Sequence, residues 1–488
     1  RRVLFRSLNT QQDFSVIRVS GTPHSWGDAQ AAWDLGRMNN WPKAKQNHSL
    51  GYYKEADIPF QFALARAFTL CDHYHCATQT GTNTNRLFLW SGGNDPLALG
   101  GGPSTDNSHD WFNENPATDY TWVTYAERLQ DAGISWQVYQ NMADNFTDNP
   151  LAGFRPFRNA WYQRPGYSQA LRDRGVSTRD LDQLKADVVA GRLPQVSWIV
   201  ATAEGSEHPG PSSPASGADY TARVLDALTA NPAVWAKTVL FLNFDENDGF
   251  FDHMPPPAVP AYLRHADDPD QALLAGASTV ETTGEYHHHL NGSDAQWHHR
   301  PYGMGPRVPM YVISPWSKGG WVNSQVFDHT SVLRFVEARF GVAETNISPW
   351  RRAVCGDLTS AFNFRNPNDN AFFAQLPATL ALADQARALS KRTTPPTPSS
   401  LSLPSQAVGV RPSRALPYEL HATARVVANR QLGATQVEVT FRNTGAQAAV
   451  FHVYDRKNLS AIPRRYTVEA GKQLVGSWTA EASGAYDL

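Results

Sequence analysis

The chain has 488 residues, of which 41% are hydrophobic and 18% are charged, a composition typical of globular proteins with large cores. This length favours two domains. Lys and Arg number 43 and Asp and Glu 45, which gives a formal net charge of −2. Because this charge balance provides no basic field, we expect no nucleic-acid partner. No apolar run is long enough to span a bilayer.

Both ends of the sequence interrupt its pattern. Residues 1–7 read like a translated sequencing adapter and are excluded from the fold prediction. Residues 484–488 stop within a strand-like pattern. We therefore expect a chain that has been shortened at both ends, and an export signal could have been lost with the first residues.

Helix-like and strand-like segments alternate between residues 50 and 345. The predicted helices span 121–132, 181–190, 220–230 and 330–340, and the predicted strands span 134–139, 194–200, 238–244 and 308–314. Continuous apolar strands between helices predict an α/β fold with a doubly wound, mostly parallel sheet covered on both faces. Two long insertions, 91–118 and 254–307, are expected to build or cover a site.

The pattern changes after residue 390. Residues 391–408 are rich in Pro, Ser and Thr and read as a linker. Short alternating runs follow at 419–427, 435–441, 448–454 and 466–478, and these predict an antiparallel β-sandwich. The predicted organisation is an α/β domain over 8–390, the linker, and a partial sandwich over 409–488.

Two adjacent carboxylates, Asp245 and Glu246, end the predicted strand 238–244, and Asp252 and His253 follow within a few residues. In an open α/β sheet, ligands collect beyond the carboxyl ends of the strands. Hard divalent cations prefer carboxylate oxygens. The pattern therefore favours a metal or catalytic site, although Asp, Asn and Gly are also ordinary turn residues.

A hydroxyl-rich segment, GTNTNR at residues 81–86, precedes another apolar run. Thr82, Thr84 or Asn85 could cap a helix, which is the more frequent role of such residues. A threonine at a helix N-terminus is also well placed for phosphoryl chemistry, because the free N–H groups and the helix dipole favour negative charge there. Arg86 could add a bidentate phosphate contact.

Several histidines lie next to predicted element ends. His24, His208 and His329 could each contact a phosphate or carry a proton, although isolated loop histidines are more often structural. A second group, 287–289 with 298–299, is interpreted as a solvated or adventitious metal-binding patch, because three consecutive histidines of a regular strand cannot all face one ion.

The three cysteines, Cys71, Cys76 and Cys355, do not have the spacing of a typical zinc site. The sequence CDHYHC at residues 71–76 places two histidines between two of the thiols. We expect the cysteines to be buried or disulfide-bonded.

Taken together, several segments resemble the bacterial phosphocholine-preferring phospholipases C, a phosphoesterase family of the alkaline-phosphatase-like superfamily. The resemblance rests on NFDENDGFFDHMPPP at 243–257, CDHYHC at 71–76, GTNTNR at 81–86, NFTDN at 145–149, EHP at 207–209, GPRVP at 305–309, SPWSKGGW at 314–321 and FDHTS at 327–331. These motifs span nearly the whole α/β region. The predicted sandwich is similar to the family's C-terminal domain.

The resemblance implies a role for each matching residue. Thr82 would be the nucleophile, and His24 and His208 would contact the phosphate or protonate the leaving group. Asp245, Glu246 and the Thr82 alkoxide would bind a divalent metal of unknown identity. The supporting residues implied are Arg86, His253, Asp328 and His329.

The implied activity is hydrolysis of phosphatidylcholine, and possible further substrates include sphingomyelin. The enzyme would be exported and would act peripherally at a membrane surface. An acid phosphatase of the same superfamily is the alternative enzyme, and a lipid- or carbohydrate-binding protein is the non-enzymatic alternative. The family's ENRSFDH motif, which completes the site, does not occur in residues 8–60. We therefore expect this chain to lack a central strand and to be inactive or nearly so.

Overall fold

Every helix and strand predicted between residues 121 and 340 is present, although several ends shift. The computed structural model describes residues 6–7, 14–264, 273–288, 295–365, 376–395, 408–429, 434–479 and 485–488. The α-helices are α1 Trp26–Trp33, α2 Trp41–Lys45, α3 Pro59–Ala67, α4 Thr82–Ser91, α5 Tyr125–Asp131, α6 Arg155–Trp161, α7 Gln169–Gly175, α8 Leu181–Val189, α9 Pro214–Thr229, α10 Pro232–Trp235, α11 His329–Phe340, α12 Pro349–Val354 and α13 Leu380–Arg387.

The strands alternate with these helices as far as residue 243, follow one another without an α-helix in the described residues between 240 and 323, and do so again near the C-terminus. They are β1 Arg6–Ser7, β2 Gly51–Tyr52, β3 Thr69–Cys71, β4 Trp136–Tyr139, β5 Val196–Ile199, β6 Leu240–Asn243, β7 Tyr262–Arg264, β8 Leu273–Leu274, β9 Gly276–Ser278, β10 Met310–Ile313, β11 Val322–Asn323, β12 Leu420–Asn429, β13 Ala434–Asn443, β14 Ala449–Val453, β15 Arg464–Val468 and β16 Gln473–Thr479. The excluded segment 1–7 contributes β1, which pairs with β2, while residues 1–5 lie outside the description.

The central sheet is mixed, so the prediction of a mostly parallel sheet is correct only in part. Its strand order is β11-β3-β10-β6, and β10 runs antiparallel to both of its neighbours. Parallel pairs do occur, between β3 and β11 and between β4 and β5. A parallel neighbour needs a crossover connection, usually a helix. The described part of the connection from β6 to β10 contains no α-helix, and β10 enters the sheet in the opposite direction.

Helices cover both faces of this sheet, as predicted. Along β10, Tyr311 and Ile313 pack into the core that contains residues of α3, α8 and α9. Met310 and Val312 point to the other face, which packs against α11. Because both faces are covered, all four residues of β10 are buried. This alternation is the period-two pattern of a strand buried on both faces.

An open channel separates β5 from β6. The side chains of a strand alternate between the two faces of a sheet, yet consecutive residues of both strands line the channel. The channel therefore runs along the edges of the two strands. Its volume is about 660 Å³, and α9, α11 and the end of α4 form its walls. Within the described residues, β5 pairs only with β4, and β6 pairs only with β10. Both strands are accordingly only half-buried.

The C-terminal strands form two sheets that pack face to face, and the prediction of an antiparallel sandwich is correct only in part, because one sheet contains a parallel pair. One sheet has the antiparallel order β12-β13-β16, and the other has the order β14-β15-β9. Phe441, Tyr466, Val468 and Trp478 form the core between them. The single predicted run 466–478 is two strands, because the chain turns at Gly471 with φ +75°. Strand β9 comes from the α/β region and pairs in parallel with β15.

Two further expectations concern the linker and the cysteines. Residues 396–407 of the predicted linker 391–408 lie outside the described residues, so the domain boundaries remain predictions. Cys71, Cys76 and Cys355 are all buried and free.

In the ranges that the structure describes, no helix is long and apolar enough to cross a membrane.

Candidate active site

The candidate site lies where the carboxyl ends of β3 and β6 meet the amino end of β10. Since β10 is antiparallel to both neighbours, β3 and β6 point in the same direction. Met310 opposes Asn243 in the register, which brings the residues that precede β10 to the same edge. A cavity of about 340 Å³ opens there. Its polar lining includes Thr82, Arg86, Asp148, Glu207, His208, Asp245, Glu246, Asp248 and Arg307.

Thr82 is the first residue of α4, and its side chain does not cap the helix. The cap residue is Gly81, so the capping role favoured from the sequence is wrong for Thr82. Asn85 holds the preceding loop by accepting a bond from Thr78 N and donating to the carbonyls of Thr80 and Gly81. Within the described residues, the Thr82 hydroxyl has no hydrogen-bond partner. It is therefore an available oxygen at the positive end of a helix.

The insertion 91–118 supports this helix end, as its length led us to expect. The side-chain oxygen of Asn107 accepts a hydrogen bond of 2.9 Å from the backbone N–H of Asn83. The hydroxyl of Thr80 donates to the carbonyl of Thr105 at 2.6 Å. These bonds fix the backbone on both sides of Thr82.

Carboxylates crowd the opposite wall of the cavity. Burial raises the pKa of Glu246 to about 8, and the charges of Asp245 and Asp248 add to the rise while His24 opposes it. Burial likewise raises the pKa of Asp148 to about 7, against the nearby Arg86. A divalent cation would relieve this repulsion, and carboxylates are the residue type that such cations prefer, while the ligand set of Asp245, Glu246 and Thr82 stays a prediction.

Arg86 bridges two of these carboxylates. Its Nε donates to Asp245 Oδ2 at 3.0 Å, and its Nη2 donates to Asp148 Oδ2 at 3.0 Å. Its Nη1 also donates to the carbonyl of Asp148. The guanidinium lines the cavity and also orients Asp245. The sequence did not predict this second role.

His24 and His208 lie side by side, with ring centroids 6.0 Å apart. The Nδ1 of His24 lies 2.7 Å from the carbonyl of Thr22 and 3.1 Å from Asp248 Oδ1. The bond to Asp248 raises the pKa of His24 to about 10, against the effect of burial, and the charge of Glu246 contributes. His24 is therefore protonated at neutral pH.

His208 is oriented by its own backbone. Its Nδ1 donates to the carbonyl of Pro209 at 2.9 Å, which leaves Nε2 as the open nitrogen. One ligand atom each from His24, His208 and Asp248 lies within 4.8 Å of the others. This group contains Asp248, to which the sequence analysis gave no role.

The loop after β6 holds His24 in place. Thr22 donates from its backbone N–H to Asp248 Oδ2 at 2.9 Å, and Trp41 Nε1 donates to the carbonyl of Gly249 at 2.8 Å. Gly249 has φ +75°, and a Cβ there would lie 2.5 Å from the carbonyl oxygen of Pro23. A larger residue at position 249 would therefore push this segment away.

The supporting residues divide into three kinds. His329 is buried and braces β6, because its Nε2 donates to the carbonyl of Asp245 at 2.7 Å and its Nδ1 accepts from the Tyr74 hydroxyl. Asp328 caps α11 and pairs with buried Arg351 at 2.6 Å. The side chain of His253 is 72% exposed. None of these three lines the cavity.

Comparison with known proteins places the chain in a family. The model of the Phosphoesterase family matches residues 2–343, and the model of the bacterial phospholipase C C-terminal domain matches residues 412–488. This chain belongs to the phosphoesterase family. The second match covers the observed C-terminal strands.

Three relatives show how close this phosphoesterase is to named proteins. It is 57% identical to a non-hemolytic phospholipase C of Pseudomonas aeruginosa, over 97% of this chain and 66% of that protein. It is 44% identical to a non-hemolytic phospholipase C of Burkholderia pseudomallei, over 96% and 66%. It is 40% identical to a hemolytic phospholipase C of Pseudomonas aeruginosa, over 93% and 64%. The chain thus spans about two thirds of the length of these relatives.

Sequence reasoning missed four charged residues of the phosphoesterase cavity. Asp148, Glu207 and Asp248 stand in motifs that the resemblance quoted but to which it gave no role. Arg307 precedes β10 and donates twice to Asp252, at 2.8 and 2.7 Å. In a parallel strand it would lie at the opposite edge of the sheet, so the strand direction had to be known first. The aromatic lining of Tyr52, Tyr53, Phe250 and Tyr311 had no sequence signal.

Proposed function

We propose that this chain carries the phosphoryl-transfer site of a phospholipase C that hydrolyses phosphatidylcholine to diacylglycerol and phosphocholine. The proposal rests on one cavity. It is lined by the unpartnered Thr82 hydroxyl, by the carboxylates of Asp245 and Glu246, and by His208, which lies beside His24. Sphingomyelin is a second candidate substrate, because it carries the same phosphocholine group.

Thr82 acts as the nucleophile in this proposal. Its alkoxide oxygen attacks phosphorus, the bond to the diacylglycerol oxygen breaks, and a phosphocholine ester of Thr82 forms. The N-terminus of α4 favours the negative charge on this oxygen. Water then attacks the ester, which releases phosphocholine and regenerates the Thr82 alkoxide, and the proton taken from this water replaces the one given to the leaving oxygen.

The two histidines carry the protons. His24 is protonated at neutral pH and donates from Nε2 to the leaving oxygen. His208 accepts a proton from the attacking water at Nε2, since its Nδ1 is held by Pro209. A divalent cation held by Asp245, Glu246 and Thr82 would polarise the phosphoryl oxygens and stabilise the threonine alkoxide.

The aromatic wall supports a choline substrate. Tyr52, Tyr53 and Phe250 line the same cavity as Thr82. Aromatic faces attract quaternary ammonium groups through cation–π contacts. The competing function is an acid phosphatase that acts on phosphomonoesters, for which this wall would have no cationic group to bind.

The substrate also implies where the enzyme works. We propose that the enzyme is exported and that it binds the membrane surface peripherally. These two statements rest on the lipid substrate of the proposed reaction.

The test compares a chromogenic choline phosphodiester, p-nitrophenylphosphorylcholine, with p-nitrophenyl phosphate, each with and without a chelator. We expect preference for the diester and loss of turnover with the chelator. Thr82→Ala should lower turnover at least about 1,000-fold, because it removes the nucleophile, whereas Thr82→Ser should keep part of the activity. Preference for the monoester would favour the phosphatase, and full activity of Thr82→Ala would exclude Thr82 as nucleophile.

Binding provides a readout that is independent of turnover. Calorimetry should give tighter binding of phosphocholine than of inorganic phosphate. Tyr52→Ala should weaken the binding of phosphocholine and leave that of phosphate unchanged. Equal affinity for the two ligands would contradict the choline part of the proposal.

A further inference from the structure

A second cluster of histidines shares no residue with the cavity at the sheet edge. His288, His298 and His299 each offer one nitrogen, and these three nitrogens lie within 4.8 Å of one another. His287 does not join them, because its ring packs on Trp26 and Tyr302. His289 lies outside the described residues, so the expectation that the three consecutive histidines 287–289 cannot all face one ion stays a prediction.

Backbone pairing brings the three histidines together. His287 donates from its N–H to the carbonyl of Arg300 at 2.9 Å, and His299 donates to the carbonyl of His287 at 2.7 Å. Tyr302 donates to the carbonyl of Glu285 in the same ladder. The two paired segments therefore place His288 beside His298 and His299, independently of any ion.

The backbone of His299 turns two neighbouring rings to one side. Its φ is +61°, a left-handed conformation that few non-glycine residues adopt. In an extended strand, the side chains of positions 298 and 299 would point in opposite directions. Here their ring centroids are 3.7 Å apart, and His288 lies 5.1 Å from His299. The ring of Tyr262 stacks on His299 at 4.7 Å.

The chemistry of the cluster suits a metal ion. His298 Nδ1 is buried and has no hydrogen-bond partner in the described parts of the chain. Three imidazoles match a set of protein ligands that binds zinc, whereas Mg²⁺ and Ca²⁺ prefer oxygen ligands.

We propose that His288, His298 and His299 form a binding site for a divalent transition-metal ion of the Zn²⁺ or Co²⁺ class. The ion would link segment 285–288 to segment 298–302. It would also provide a partner for the unpartnered Nδ1 of His298. The site is distinct in its residues and in its ligand chemistry from the carboxylate-rich cavity.

Co²⁺ titration of the full chain without a histidine tag tests the site, because four-coordinate nitrogen-bound Co²⁺ absorbs visible light strongly while oxygen-ligated six-coordinate Co²⁺ absorbs weakly. We expect one equivalent with strong visible bands, which Zn²⁺ displaces. His288→Gln, an exposed change that should not disturb folding, and His299→Asn, which tolerates the left-handed backbone, should each weaken binding at least about 10-fold.

Two matched controls separate this site from the rest of the chain. His253→Gln changes an exposed histidine outside the cluster and should leave the bands intact. Glu246→Gln should also leave them intact, since it changes only the cavity. Absence of strong bands, or bands that survive both cluster substitutions, would overturn the proposal. A dissociation constant weaker than about 100 µM would mark binding of an adventitious ion only and would also overturn it.

Discussion

Strand β10 and the strand pair β5 and β6 belong to the same α/β region but differ in how completely they are enclosed. β10 has a hydrogen-bonded neighbour on each edge and helices on each face, and all of its residues are buried. β5 and β6 each have one neighbour in the described structure, and their other edges line a channel of about 660 Å³. Similar apolar sequences thus occupy a closed environment and an open one.

The difference matters because the channel reaches the candidate active site. Arg86, Asp148, Glu207 and Asp245 line both the channel and the cavity. One wall of the site, with Arg307 just before β10, therefore rests on the closed part of the sheet. The other wall, with Asp245 after β6 and His208 after β5, rests on strands that have a free edge. We expect the wall with Asp245 and His208 to be more flexible than the wall with Arg307.

The largest expected effect is on stability. Ile313→Ala in β10 should lower the free energy of unfolding by about 2–5 kcal/mol, because it leaves a cavity in a closed core. Leu240→Ala in β6 should cost about 1–2 kcal/mol, since Leu240 is only half-buried and loses less apolar contact. Urea denaturation of both variants measures this contrast. Equal losses would mean that the channel is closed in solution.

Amide exchange should give the next largest contrast. Amides on the free edges of β5 and β6 lack the ladder bonds that protect β10 from both sides. We expect them to exchange at least about 100-fold faster than those of β10, a difference of about 2.7 kcal/mol. Hydrogen–deuterium exchange followed by mass spectrometry of peptides from 194–200, 238–244 and 308–314 measures it. Equal protection of the three peptides would contradict the comparison.

The smallest expected effect is a pH dependence from Glu207, which borders both openings. Burial raises the pKa of Glu207 to about 8 from an ordinary 4.5, and the bond from Gln61 only partly opposes this rise. The folded chain therefore binds this proton more tightly than the unfolded chain does. The resulting stability is complete below about pH 4.5 and is lost as the pH rises to about 8.

Glu207→Gln removes this ionisation and should stabilise the chain at pH 8.5 by about 1–2 kcal/mol, with little effect at pH 4.5. Thermal unfolding of both proteins across this range measures the effect. The matched control is Glu114→Gln, an exposed change in the insertion 91–118. A destabilised variant at pH 8.5 would show that the carboxylate is compensated in the folded chain.

Local pattern was sufficient to predict most elements and part of the site. Helix 330–340 with its glycine end, and strand 238–244 ending in Asp245 and Glu246, follow from periodicity and end signals that neighbouring residues carry. The family resemblance brought Thr82, Arg86 and His208 together before any coordinates, and they do line one cavity. His24 lies beside His208, as that grouping implied.

Only the tertiary structure determined the strand directions and the contacts that each side chain makes with distant residues. The antiparallel entry of β10 is what brings Arg307 to the site, and a strand's sequence is the same in either direction. Asp248 pairs with His24 and Asp148 with Arg86 through contacts between residues far apart in the chain. His288 meets His298 and His299 because their two segments pair and the backbone turns at His299. Sequence periodicity encodes which face a residue occupies, whereas these pairings depend on how distant segments pack.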